Sequence, residues 1–234
     1  MFFMSSDDKI KKLLSKLVFK SKLYLYLLKQ KVFFKYIEAL SLFMKKQIVI
    51  FISGKGSNAL NIINYFSETE NLTVTHVYSN NKNSPFFEHK LNSNIKVSYF
   101  QNNDLKTEVF DELKLIKPDL IVLAGFLKKI PLIYIDYFKK MIINIHPALL
   151  PSYGGKGMYG SIIHNKVIEN NEKETGITIH YVSEQYDSGQ IIFQRKISVG
   201  DNDTAKTIEE KVHKLEHEYY PKIIESILKN KWAD

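Results

Sequence analysis

The chain has no cysteine. That one absence removes disulfides, thiolate metal sites, iron–sulfur clusters and cysteine nucleophiles together, and it fits a reducing cytoplasm. No apolar run in the lysine-rich first 43 residues approaches the roughly 18 to 20 residues that a membrane span needs. No small-residue cleavage site follows them, so a secretory signal is not indicated either. After Met44 there is no repeat, low-complexity tract or linker. What is present is ordinary: 44% hydrophobic, 13% aromatic and 25% charged residues over 234 positions. Such a chain can bury one large core, and wholesale disorder or a fibrous structure is excluded.

The formal charge of +8 invites nucleic acid or an anionic surface until its distribution is considered. Residues 1–43 hold nine lysines against Asp7, Asp8 and Glu38, and so carry +6 of it. From Met44 onward the chain is nearly neutral, which leaves the main body no basic excess for nucleic acid. The first 43 residues lack Gly and Pro and mix Lys with Leu, Phe and Tyr. They are expected to form a basic helical or poorly ordered N-terminal extension; contact with a membrane surface is the less favoured reading. The expected division is therefore 1–43 and 44–234.

Gln47–Ile52 is an unbroken apolar run rich in β-branched residues, the pattern of a strand covered on both faces. Ser53–Asn58 is a glycine-containing loop, and Ala59–Tyr65 has the three- and four-residue apolar spacing of an amphipathic helix. Further strands are expected at Leu72–Tyr78, Ile95–Tyr99, Leu120–Ala124 and Met141–Ile145, with helices at Leu105–Ile116 and Leu132–Phe138. Thr175–Val182 and Gln190–Ser198 read as an antiparallel pair around a turn at Asp187–Gly189. Thr204–Leu228 reads as one or two closing helices, with Pro221 as a break or kink. The fold class is α/β: a doubly wound, mostly parallel sheet with an antiparallel C-terminal strand pair and closing helices.

In such a sheet, ligands bind beyond the carboxyl ends of the strands, beside the point where strand order reverses. The loops leaving the strands at Gly54–Asn58, Gly125–Lys129 and His146–Gly157 are thus the candidate site. Gly54-Lys55-Gly56-Ser57-Asn58 suits an anion, because glycine admits backbone N–H groups close to it and a helix start follows. It lacks the spacing of a nucleotide P-loop and the third glycine of the dinucleotide fingerprint, so a small phosphate monoester fits better. Ser57 and Asn58 are also candidate helix caps. Asn144 and His146 fall on the same side of a strand at its carboxyl end, where an amide donor and an imidazole can hold an oxyanion. Asp187 in the later turn offers a carboxylate that favours the imidazolium and raises the His146 pKa if the turn folds over the strand end.

Six segments occur in order: Ile52-Ser53-Gly54-x-Gly56-Ser57-Asn58, Leu123-Ala124-Gly125-Phe126, Asn144-Ile145-His146-Pro147-x-Leu149-Leu150-Pro151, Thr175–His180, Asp187-Ser188-Gly189 and Glu216-His217-x-x-Tyr220-Pro221. Together they resemble the phosphoribosylglycinamide formyltransferases, folate-dependent formyltransferases of purine biosynthesis, over residues 45–233. The resemblance implies a Rossmann-like formyltransferase fold and a cytoplasmic enzyme, monomeric or homodimeric. It implies transfer of formyl from 10-formyltetrahydrofolate, as cosubstrate, to the amino group of glycinamide ribonucleotide, with no metal. By position, Gly56, Ser57 and Asn58 match the phosphate-holding residues, and His213 with Glu216 the segment that contacts the nucleotide. Asn144, His146 and Asp187 match the catalytic trio. Leu127, Lys128, Lys129 and Ile130, with Ser183, Glu184, Gln185, Tyr186 and Asp187, match the walls of the folate pocket, which Asn144 also contacts.

The chain departs from the pattern in places. Ser152–Gly160 replaces a proline-glycine-leucine stretch followed by two histidines, Lys128 stands where arginine is common, and Ser188 replaces a frequent glycine. The rival readings are a formyltetrahydrofolate hydrolase, another folate-dependent formyltransferase, and a non-catalytic phosphate-binding module that would need neither His146 nor Asp187.

Overall fold

The computed structural model describes Gln30 and residues 45–229. Apart from Gln30, the expected extension over residues 1–43 and its membrane reading lie outside the described residues. Seven strands make one sheet there: β1 (Lys46–Ile52), β2 (Leu72–Ser79), β3 (Lys96–Tyr99), β4 (Leu120–Leu123), β5 (Ile142–His146), β6 (Glu174–Tyr181) and β7 (Ile191–Ser198). Their order is β3-β2-β1-β4-β5-β6-β7. β1 to β5 pair in parallel, whereas β5–β6 and β6–β7 are antiparallel. The expected α/β class, the parallel body and the antiparallel C-terminal pair are all present. The order reverses between β1 and β4, which fixes the switch point at their carboxyl ends.

The helices are α1 (Ser57–Phe66), α2 (Glu108–Ile116), α3 (Leu132–Phe138), α4 (Ser161–Glu169) and α5 (Ala205–Leu228). Strand alternation divides the core in two. Ile48, Ile50 and Ile52 of β1 join Ile62 and Phe66 of α1 and Val212, Tyr220 and Ile224 of α5. Val49 and Phe51 face the other way, onto Leu113 of α2 and Tyr134 and Phe138 of α3. Each fully buried aliphatic side chain of this kind contributes roughly 1.5–3 kcal/mol. The buried Tyr220 hydroxyl also donates to the Leu123 carbonyl at 2.9 Å, pinning α5 to β4.

Three local expectations need correction. The helix expected over Leu105–Ile116 is a 3₁₀ turn, Asp104–Lys106, followed by α2, because Thr107 leaves helical geometry at φ −124°, ψ −96°. Pro221 does not divide the closing helix: α5 runs through it as one element. A proline there removes the N–H that would bond to the carbonyl of His217, and that carbonyl instead accepts from Asn61 Nδ2 at 2.8 Å. Finally, α4 was not anticipated. Its sequence, Ser161–Glu169, follows a glycine-rich loop and buries only Ile163, His164 and Val167, a weak apolar face.

Candidate active site

Three strand ends build the site. β1 runs into Ser53 and Gly54, β4 into Gly125, and β5 ends on His146 itself. The Gly125 carbonyl accepts from Ser53 N at 3.1 Å and Ser53 Oγ accepts from Leu127 N at 3.0 Å, so the first two loops are tied to each other. A cleft of about 910 Å³ lies across these ends and is lined by Asn58, Asn144, His146, Asp187 and Glu216, among others. The sequence separates these five residues by up to 158 positions; the switch point gathers them.

At the phosphate-type loop, Gly56 has φ +74°, in the left-handed region that favours glycine. A Cβ there would meet the Phe86 ring at 2.4 Å, so glycine is required sterically as well. The expected side-chain caps are not formed: α1 has Gly56 at its N-cap and no side-chain cap hydrogen bond. Ser57 Oγ lies 3.0 Å from His213 Nε2, and Asn58 Nδ2 donates to Glu216 Oε2 at 2.9 Å. Both side chains are thus spent on α5, which leaves the backbone at the helix start as the anion-binding feature. Asn58 Oδ1 is buried and has no hydrogen-bond partner among the described residues. Burial pushes the Glu216 carboxyl up to about 7; the Asn58 amide opposes the shift and Glu209 adds to it. His213 is half-buried against His217, with ring centroids 4.0 Å apart.

The second cluster forms where the turn after β6 folds over the end of β5. Asp187, at φ +52°, heads this turn. Its Oδ2 lies 3.6 Å from His146 Nδ1 and accepts from Gly155 N at 3.0 Å; its Oδ1 lies 3.5 Å from Asn144 Nδ2. Gly189 permits the fold-over, because a Cβ there would lie 1.7 Å from the Tyr181 carbonyl oxygen. His146 is 3% exposed, and its Nε2 donates to the Tyr153 carbonyl at 2.8 Å.

Burial holds the His146 ring below the ordinary histidine value. The Asp187 carboxylate and the Tyr153 carbonyl oppose this, and His180 reinforces it. Asp187 does act on the histidine in the expected direction, raising it, but loss of solvent outweighs the carboxylate and the net shift is downward. Burial pushes the Asp187 carboxyl up, yet it lies below the ordinary aspartate value because His180, His146 and the Gly155 N–H together favour the anion.

Sequence reasoning missed two contributors to this cluster. His180 is the cross-strand neighbour of Asn144. Its Nδ1 donates to the Tyr181 carbonyl at 2.9 Å, and its Nε2 lies 3.2 Å from Asn144 Nδ2 and 3.7 Å from Asp187 Oδ1. The signal was available, since His180 lies near the end of a strand, one residue before its last. Tyr153 left no such signal, because it acts through its backbone oxygen.

A narrower cleft opens from the same cluster between the loop after β4 and the turn after β6. Lys128, Lys129 and Ile130 form one wall, and Ser183, Gln185 and Tyr186 the other. Leu127 lines the larger cleft, and the exposed Glu184 lines neither. Asn144 and Asp187 line both, so the two openings meet at the cluster.

Residues 46–224 match the formyl transferase family model. The chloroplastic phosphoribosylglycinamide formyltransferase of Arabidopsis thaliana is 35% identical over 200 residues, covering 81% of this chain and 68% of that protein. The phosphoribosylglycinamide formyltransferase of Escherichia coli (strain K12) is 32% identical over 185 residues, covering 76% and 84%. The crystal structure of phosphoribosylglycinamide formyltransferase from Bacillus halodurans matches with a TM-score of 0.70 at 30% identity, covering 78% of this chain and 95% of that one. The chain belongs to the formyl transferase family and, within it, to the phosphoribosylglycinamide formyltransferases.

Proposed function

We propose that the protein transfers the formyl group of 10-formyltetrahydrofolate to the amino group of glycinamide ribonucleotide in purine biosynthesis, with Asn144, His146 and Asp187 as the catalytic residues. The observation that carries this reading is the convergence of these three side chains where two clefts meet. The larger cleft reaches Asn58, at the start of α1, and Glu216, and suits a sugar phosphate. The narrower one, with Leu123, Phe126, Ile130 and Val182 among its apolar walls, suits the flat ring of a folate. The bound folate supplies the activated formyl group.

The chain's own residues meet each demand of the transfer. As the amine adds to the formyl carbon, negative charge grows on the formyl oxygen; the Asn144 amide and the imidazolium form of His146, which Asp187 favours, face that charge. Tyr153 occupies Nε2 of His146, so Nδ1 is the edge that serves the reaction. Asp187 keeps a fixed negative charge beside that edge and aids removal of the amine proton through water. The helix start at Gly56–Asn58 holds the phosphate, and Glu216, which lines the larger cleft, faces the sugar hydroxyls. His213, beside Ser57, lies at the phosphate end of the same site. Lys128 to Ile130 and Ser183 to Tyr186 hold the folate.

The test is acceptor dependence. Purified protein given a 10-formyl folate should release the deformylated folate only when glycinamide ribonucleotide is present. Equal release with water alone would assign the chain to the hydrolases instead, and no release with either acceptor would leave a phosphate-binding module.

A further inference from the structure

We propose that Tyr153 is a positioning residue for His146: its phenol, anchored on Glu172 and Asn170, holds its own carbonyl oxygen against His146 Nε2 and so reserves Nδ1 for Asp187 and the substrate. This rests on the reading that His146 acts on the formyl oxygen. Tyr153 lies in the left-handed region, at φ +57°, a backbone conformation rare for a bulky side chain. Its hydroxyl donates to Glu172 Oε1 at 2.6 Å and accepts from Asn170 Nδ2 at 2.8 Å. Those partners sit in the turn between α4 and β6, so the anchor belongs to the scaffold and not to the cleft.

The opposite end of the same residue reaches the chemistry. A carbonyl oxygen can only accept, so the 2.8 Å contact fixes the proton on Nε2. Nδ1 is then the remaining ring nitrogen, 3.6 Å from Asp187. Two residues further on, Gly155 N–H holds Asp187 itself. One short loop therefore sets both His146 and Asp187, and the Tyr153 phenol is its side-chain anchor. Asp187, His180 and His164 are the titratable groups that act on the ring.

Tyr153→Phe deletes only the hydroxyl. Loosening the carbonyl removes an interaction that favours the imidazolium, so the alkaline limb of the kcat profile should move about one pH unit lower, with about a tenfold loss of kcat at pH 8. KM for glycinamide ribonucleotide should stay unchanged, since the phenol does not face the substrate cleft. Glu172→Gln keeps an acceptor oxygen and should retain the wild-type profile, whereas Glu172→Leu should behave as Tyr153→Phe. Nitrogen-15 NMR of the His146 ring, assigned by its loss in His146→Ala, reads the tautomer without turnover: Nε2–H in the wild type and a tautomer mixture in Tyr153→Phe and Glu172→Leu. A ring that keeps the wild-type tautomer in both variants, or a kcat that falls equally at pH 6 and pH 8, overturns the proposal. Full activity of His146→Ala would instead remove the catalytic reading and leave the tautomer result standing.

Discussion

Single residues decide the chemistry here, and their environments make opposite demands. His146 is buried, and desolvation outweighs the pull of Asp187 and the Tyr153 carbonyl toward the imidazolium. Asp187→Asn keeps the size and an acceptor for Gly155 but removes the charge. We expect a kcat lower by about 10²-fold or more, with the alkaline limb moved to lower pH, read from the pH profile of initial rates. Glu216 gives a stability prediction. Its carboxyl is raised from 4.5 to about 7, so the stability linked to its protonation is complete below pH 4.5 and lost as pH rises through 7. Glu216→Gln cannot ionise. Its stability relative to wild type should therefore improve between pH 5 and pH 8 by on the order of 3 kcal/mol, measured by urea unfolding. Asn144, His146 and Asp187 were legible because amide, imidazole and carboxylate at strand ends and turns have a chemical reading. Tyr153 was not, because its contribution is a carbonyl oxygen that any residue carries.

Elements were legible where their period was strong. β1, β4 and β5 are largely apolar runs and β2 mixes Leu, Val and Tyr with Thr and His, and the structure returns all four within a residue or two. α4 was invisible because it buries only one short stripe. The continuity of α5 through Pro221 was also beyond sequence reasoning, since the carbonyl that proline orphans is satisfied by Asn61, a residue 156 positions from His217. The turn after β6 shows how an element delivers a residue. Gly189 has no room for a Cβ against Tyr181, so Gly189→Ala should displace Asp187 with it. The expected result is a protein destabilised by about 1–3 kcal/mol that loses activity beyond what its folded fraction explains; melting and specific activity measured together would check this.

For the whole molecule, the described residues close on themselves: Lys46 Nζ at the start of β1 donates to the Leu228 carbonyl at the end of α5, at 2.5 Å. The sheet, both core layers and the site all lie between them. We therefore expect Met44–Asp234 to fold and turn over substrates like the full chain, and loss of soluble activity on removing residues 1–43 would show that segment to be integral. In the proposed function one imidazole, set between an amide and a carboxylate at the junction of two clefts, drives formyl transfer. The most direct measurement compares wild type with His146→Ala for release of deformylated folate in the presence of glycinamide ribonucleotide, with nucleotide binding followed separately by calorimetry. Turnover should fall by at least about 10²-fold with nucleotide affinity largely intact. A His146→Ala protein that turns over at the wild-type rate would contradict it.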